Sequence, residues 1–521
     1  MPNRLIHQLP DSPERDTLNL ELQHYYHGIP SRPRYLAGSP NRRRVSTTPY
    51  PDEVHLFPVS ATSSICLRWR HEISAIILEV LDDSCPEAVC VDLLKIGPSE
   101  SDADIVVWIG AKPSLSSIAA EELVAILDEK LRACEIAEAF RVEVRTTTIL
   151  NTVGLVSRND YDPRVAPYAT PFMASMGLGL SCESQPTRLG SGGIFLRNGS
   201  SPTVFVLTCH HVVSSDPNGL LPGDTAQQKG EEVYVSNDVH VVRELEVLKD
   251  AIMTQKRSLK PMQYTKKRLA REGPPKTADG TVDKVEAEEY YKNVRDANRW
   301  LEVFEQELKV MEDCLAAIEA RYSDQHDRLI GHVHCHPPIR IAQGEYCEDW
   351  GLVALNDNAI PSEGVANKIN LEIPQGPHRS VQHILNAIDP YITALAVGSI
   401  MTDADINDRK HTVFKNGAMS GITSGTSSPA RSFVRKPFDG GAPVWSLEVP
   451  VIGTAEVPEF SKPGDSGAVA VDGAGRILGM VTSGAGEDSA GTERKDVSYL
   501  TPMWWLLERL QAFGFDPQLV T

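Results

Sequence analysis

Short apolar runs recur along the C-terminal two thirds of the chain, at residues 193–196, 204–208, 329–341, 352–355, 394–400, 411–414, 444–452, 468–471 and 477–482. Each is bounded by turn residues, and so many short runs in series predict strands of an all-β barrel or sandwich. One segment breaks the pattern. Val294, Ala297, Leu301, Phe304, Leu308, Met311, Leu315, Ile318 and Tyr322 alternate at spacings of three and four, a heptad seam sustained over about four heptads. Gly273-Pro274-Pro275 ends a shorter helical arm containing Leu245, Leu248, Ile252 and Leu259, and Asp283 with Glu286 caps the start of the second arm. The two arms predict an antiparallel helical hairpin, with coiled-coil packing, inserted at about 243–326. With Pro261 in its shorter first arm, the hairpin is expected to need a partner surface over its seam.

Upstream the periodicity differs. Between residues 51 and 150, apolar runs at 88–96 and 105–109 alternate with helical patterns at 73–81 and 118–133, predicting a small α/β domain of unknown role. Residues 1–50 are rich in Pro, Arg and Ser and read as a flexible head, and 151–189 reads as a linker. The expected fold is therefore mainly β from 190 to 521, with the hairpin inserted and the α/β domain in front.

Three places carry candidate chemistry. Pro463-Gly464-Asp465-Ser466-Gly467 precedes an apolar strand. A serine hydroxyl needs a base and an oxyanion site, and a glycine two positions before it lets the Gly464 and Ser466 amides converge. Val206-Leu207-Thr208-Cys209-His210-His211 is a strand ending in two histidines, where a general base would be held rigidly. Asp349 precedes the strand Leu352–Leu355 by a Trp-Gly pair, and such an acid can fix an imidazole tautomer. Each has a plainer explanation as a turn or strand-end residue. The order His, Asp, Ser with these contexts favours the catalytic one.

With these residues in place, 190 to about 505 resembles the chymotrypsin/trypsin-like serine peptidases, particularly their HtrA-like and intracellular microbial branches. The resemblance places the base at His211 in a Leu-Thr-x-x-His-Val-Val type segment, the acid at Asp349 and the nucleophile at Ser466. Lys415-Asn416-Gly417-Ala418-Met419-Ser420-Gly421-Ile422-Thr423-Ser424-Gly425 resembles a hairpin found in some members. It implies a double β-barrel, an oxyanion hole at Gly464 and Ser466, and a specificity pocket at Phe460, Thr482, Ser483 and Gly484. Phe460 stands where members that cleave after Arg or Lys keep an acid, which implies an uncharged P1 residue. His211 and Asp349 are 138 positions apart, against a template separation of roughly 45. Removing the hairpin restores about 58. No Ile-Val-Gly-Gly activation segment precedes Gly192-Gly193, and no PDZ domain is expected after the last strand.

Composition narrows the function. A net charge of −19, with Arg42-Arg43-Arg44 as the one dense basic run, excludes nucleic acid as the expected partner. No apolar stretch long enough for a signal core or membrane span follows Met1, and nine scattered cysteines suit a reducing, cytoplasmic compartment without membrane contact. His332, His334, Cys335 and His336 could ligate zinc, but alternation puts the three histidines on one strand face with no Cys-x-x-Cys partner, so neither metal nor cofactor is expected. The chain reads as an intracellular serine endopeptidase acting on protein or peptide substrates through an acyl-enzyme. The alternative is a catalytically silent scaffold binding a regulatory protein or a second copy through the hairpin and N-terminal domain.

Overall fold

The computed structural model describes Leu22 and residues 24–41, 53–151, 174–216, 218–221, 230–277, 280–282, 284–342, 345–356, 365–370, 394–436, 443–454, 457–489 and 492–520. Its N-terminal part is an α/β unit. Strands β1 (Tyr35–Gly38), β2 (His55–Pro58), β3 (Ala88–Gly97), β4 (Asp104–Ala111) and β5 (Phe140–Thr146) form a sheet in the order β1-β5-β4-β3, with β2 beside the end of β3. Helices α1 (Ser74–Ser84) and α2 (Ser117–Arg132) contribute the three- and four-spaced residues Ile77, Val80, Leu81, Leu123, Val124 and Leu127 to its core. Of the stretch expected as a flexible head, residues 24–41 are part of the fold. Tyr25, Tyr26, Ile29 and Tyr35 are buried against Trp108, and both Tyr25 and Tyr26 donate to Glu143 at 2.8 and 2.9 Å. An aromatic cluster that plugs one sheet face has no period, so hydrophobic patterning does not reveal it.

The first barrel comprises β7 (Gly179–Cys182), β8 (Gln185–Ser191), β9 (Phe195–Asn198), β10 (Val204–Thr208), β11 (Glu232–Val235), β12 (Leu329–Cys335) and β13 (Gly351–Leu355). Pairing runs β9-β10-β13-β12-β11-β7-β8. The bent chain from β8 into β9 closes the ring where the Gly193 amide donates to Leu207 O at 2.8 Å and the Leu207 amide to Ile194 O at 2.9 Å. β7 and most of β8 thus lie in the stretch 151–189 expected as linker, and their short, Gly- and Ser-rich runs explain why.

Downstream of a small ladder of β14 (Lys368–Asn370) and β15 (Ala394–Ala396), and of β16 (Ser399–Ile400), come the strands of the second barrel. They are β17 (Thr412–Gly417), β18 (Gly421–Ser427), β19 (Ser432–Lys436), β20 (Val444–Gly453), β21 (Val469–Asp472), β22 (Arg476–Ser489) and β23 (Thr492–Pro502). Six of them close an antiparallel ring, β17-β18-β20-β23-β22-β21. Helix α3 (Met503–Ala512) packs on it, and β24 (Pro517–Leu519) returns to β9.

The α/β unit is not a separate bead. β19 pairs with β20 on one side and with β3 on the other, through Phe433↔Val91 and Val434↔Cys90, so one sheet runs from the α/β unit into the second barrel. Buried polar groups tie the junction. Ser432 Oγ and Tyr499 OH donate to Asp92 at 2.6 and 3.0 Å, and the Arg145 guanidinium stands 3.7 Å from both Asp92 and Asp496. Burial pushes the Asp496 carboxyl up to about 6 despite the pull of Arg145.

The insertion is helix α4 (Asp238–Glu272) followed by α5 (Lys284–Tyr322). Asn237 caps α4 by accepting from the His240 amide at 2.8 Å, five residues before the expected start, and Gly273 ends it at φ 65°. Asp283 lies outside the described residues. The helices run antiparallel, with Lys249 against Glu319 and Lys256 against Glu312, each at 2.6 Å. α4 continues through Pro261 and covers the seam: Leu259 and Leu301 are buried, and Phe304, Leu308 and Met311 half-buried. Pro261 does not interrupt the arm. At its base, Leu245, Leu248, Ile252 and Ile318 join the core of the barrels.

Candidate active site

The ladder of the first barrel brings two candidate residues together. In the β10–β13 pairing Thr208 lies opposite Gly351, so the chain just past the end of β10 meets the chain just before β13. His211 sits in the short helix His210–Val213 that follows Cys209, and its amide donates to Asp349 Oδ1 at 3.2 Å. Its Nδ1 is 2.7 Å from Asp349 Oδ2. The hairpin does not disturb this, because it leaves after β11 and returns into β12, and these two strands pair with each other. Burial by itself would raise the Asp349 carboxyl; the His211 ring, its hydrogen bond and the Lys436 ammonium outweigh that and hold it well below the carboxylate range.

Ser466 comes from the second barrel, on the loop between β20 and β21. Its Oγ is 2.7 Å from His211 Nε2, and Thr482 O lies 3.3 Å away on its other side. The loop needs both its glycines: Gly464 has φ +101° with Met419 Cγ 2.2 Å from where a Cβ would stand, and Gly467 has φ +92° with Ser191 O at 2.0 Å. Ser191 fastens the loop to the first barrel, its amide donating to Ser466 O at 2.7 Å and its hydroxyl to Gly464 O at 2.9 Å. Among the described residues neither the Gly464 nor the Ser466 amide has a protein acceptor.

Beneath Ser466 lies an ion pair that sequence reasoning did not assign. Lys415 Nζ is 3.0 Å from Asp465 Oδ2, with both side chains wholly buried, and the carboxylate also accepts from Ser420 Oγ at 2.6 Å and from the Met419, Ser420 and Lys462 amides at 2.8 to 3.1 Å. Burial opposes the Asp465 charge, yet Lys415 and these donors hold the carboxyl below its ordinary range. The signal was present as a lone lysine in the apolar strand Thr412–Gly417. A second buried cation, Lys436, donates to Ser483 Oγ at 3.2 Å, 3.9 Å from Glu448.

The remaining candidates fall elsewhere. Phe460 is packed in the core of the second barrel with Val413, Val449 and Val451, and the Lys415 ammonium stands 5.5 Å from its ring centre. It lies in the loop between β20 and β21 with its ring buried in the barrel, so it packs the core and is not an open pocket wall. Thr482, Ser483 and Gly484 lie on β22 next to Ser466. His210 points away from Ser466, bonded to Pro337 O at 2.7 Å and Asp216 O at 2.9 Å.

His332 and His334 share a half-exposed face, but a register shift between Val333 and Cys335 breaks the alternation and turns His336 inward against His210 at 3.3 Å. The three histidines do not share one face as expected. Among the described residues, ligand-type atoms of Cys209, His211 and Asp349 come within 4.8 Å of one another. Burial holds the Cys209 thiol well above its usual range, and it donates to Val481 O at 3.3 Å.

No protein-family model matches the chain, and no curated protein matches it. Among solved structures it is distantly similar to Nocardiopsis protease (12% identity, TM-score 0.29, covering 66% of this chain and 98% of that one) and to an alpha-lytic protease homolog (13%, 0.29, 67% and 100%). A chymotrypsin of Cellulomonas bogoriensis aligns similarly (12%, 0.29, 67% and 100%). The chain thus shows a distant structural similarity to chymotrypsin-like serine proteases, and what its site does must be argued from the site's own geometry.

Proposed function

We propose that the chain is a serine endopeptidase. The observation that carries this reading is His211, whose two ring nitrogens stand 2.7 Å from Asp349 and 2.7 Å from Ser466. Asp349, kept ionised, accepts the Nδ1 proton and so presents a bare Nε2 to the serine. As Ser466 Oγ attacks a peptide carbonyl carbon, its proton passes to Nε2, and the free Gly464 and Ser466 amides take the oxyanion. The imidazolium then protonates the leaving amine, and water repeats the sequence in reverse to release the acid. The buried pair of Lys415 and Asp465 holds the loop without any cleaved chain end.

The test is a fluorophosphonate probe on the intact chain, read by mass spectrometry. Covalent adduct on Ser466, absent in Ser466→Ala, is expected. An unmodified Ser466 in folded protein would overturn the reading in favour of a silent scaffold.

A further inference from the structure

β22 changes neighbours at the nucleophile. Up to Met480 one edge pairs with β21, and the last bonds there run between Val481 and residues Gly467 and Ala468. Because β21 is entered from the Ser466 loop, that neighbour stops where the nucleophile begins. The opposite edge stays paired with β23 as far as Ser489. From Thr482, whose carbonyl is 3.3 Å from Ser466 Oγ, the vacated edge is therefore open to an added strand.

This chain fills that edge itself. Strand β6 (Thr148–Asn151) lies antiparallel on it, with Thr148 opposite Gly486, Ile149 opposite Ala485, Leu150 opposite Gly484 and Asn151 opposite Ser483. The Thr147 hydroxyl adds a bond to Gly486 O at 3.0 Å. The direction matters. Moving from Thr148 to Asn151, the partner moves from Gly486 toward Thr482, so the carboxyl end of β6 abuts Ser466.

The occupant is also firmly moored. One residue separates it from β5, where Arg145 is sandwiched between Asp92, Asp496 and the Trp108 ring, 3.6 Å from the ring centre. The Thr147 amide is bound to Ala111 O at 2.8 Å. A strand tethered this way competes with free peptides at an effective concentration of about millimolar or above.

We infer that β6 is a tethered occupant of the peptide-accepting edge beside Ser466, so that extended peptides reach the nucleophile only by exchanging with the chain's own strand. The inference rests on the serine hydrolase reading for what Ser466 does, but not for what the edge binds. An extended peptide must displace β6, whereas a small electrophile needs only Ser466 and the oxyanion amides.

The test compares the full chain with two full-length variants, one with 148–151 replaced by Gly-Ser-Gly-Ser and one carrying Leu150→Pro, which removes an amide from the ladder. A fluorescein-labelled peptide of the sequence 146–151 is titrated against each, and the fluorophosphonate reaction is timed in parallel. Binding at least about tenfold tighter to the variants, with probe rates changed less than about threefold, is expected. Equal binding to all three proteins, or none to a folded variant, overturns the inference. Failure of the probe on every protein sinks the hydrolase reading alone, since peptide binding still decides the edge. If neither variant folds, amide exchange in the unaltered chain decides: slow exchange at Gly484 and Gly486, which face β6 rather than β23, supports the inference, and fast exchange there overturns it.

Discussion

In the first barrel the candidate base and acid stand at the ends of paired strands, and in the second the candidate nucleophile stands on a loop. His211 and Asp349 follow and precede apolar strands in direct register, so ordinary sheet packing positions both. Ser466 has no such frame. Its loop is held by two positive-φ glycines, the Ser191 bonds and the buried Lys415 and Asp465 charges. A strand end is placed by hydrophobic burial; a loop has to be placed by polar groups that leave the backbone one arrangement. The second barrel should accordingly be the more sensitive to removal of a single charge.

The largest expected effect tests whether the two halves act as a unit. Ser466→Ala and His211→Ala should each lower kcat/KM on a peptide substrate by at least about 10⁴-fold, and the double variant little further. His210→Ala, whose ring faces Pro337 and Asp216, should lose under about tenfold. A dead His210→Ala beside an active His211→Ala would reverse the assignment of the base.

Next is the loop itself. Lys415→Met leaves Asp465 charged and unpaired in the interior, so a loss of about 3 to 5 kcal/mol in denaturant unfolding is expected, with activity falling about 100-fold or more. Adding Asp465→Asn should restore part of the stability. Full activity in Lys415→Met would show that the glycines and Ser191 suffice.

The hairpin sharpens the contrast from the side of the first barrel. Since Leu245, Leu248, Ile252 and Ile318 belong to the barrel core, replacing 243–326 with a short linker should cost several kcal/mol. Removing only 255–311 should cost about 1 kcal/mol or less and leave probe labelling intact. Equal costs for the two deletions would mean that the hairpin tip also supports the barrel.

The smallest effect concerns a pair near the hairpin base. His240 and Glu244 stand 3.5 Å apart, yet burial lowers His240 to about 4 and raises Glu244 to about 7, so they meet as neutral groups rather than as ions. For Glu244 the native state holds its proton more tightly than the unfolded chain. Its stabilising contribution is complete below pH 4.5 and is lost as the pH rises toward 7. Glu244→Gln should therefore gain on the order of 1 to 2 kcal/mol at pH 8 relative to pH 4.5 in thermal unfolding. A pH-independent difference would show that Glu244 stays ionised.

The legible parts of the sequence were those governed by period. The strands around His211, Asp349 and Ser466 and the heptad seam of α5 announce themselves by alternation or by three-and-four spacing. Contacts that join distant segments do not. The tyrosines at 25, 26 and 35, the Val91 to Phe433 pairing and the edge taken by β6 have no local signature, because each is made by a surface the rest of the chain supplies. The inward turn of His336 depends on a register shift, which alternation cannot forecast.

The shared sheet of the α/β unit and the second barrel has a consequence for biosynthesis. Asp92 and Ser432 are 340 positions apart, so β3 leaves the ribosome long before β19 exists to cover its edge. At about 5 to 20 residues per second that edge waits on the order of 20 to 70 s. During this interval the part of β3 around Cys90 and Val91, which β2 leaves uncovered, is a template for pairing with another nascent chain. Yield on expression should therefore depend on chaperone capacity and growth temperature more steeply than the stability of the finished molecule does, and aggregates should contain N-terminal fragments shorter than about 430 residues.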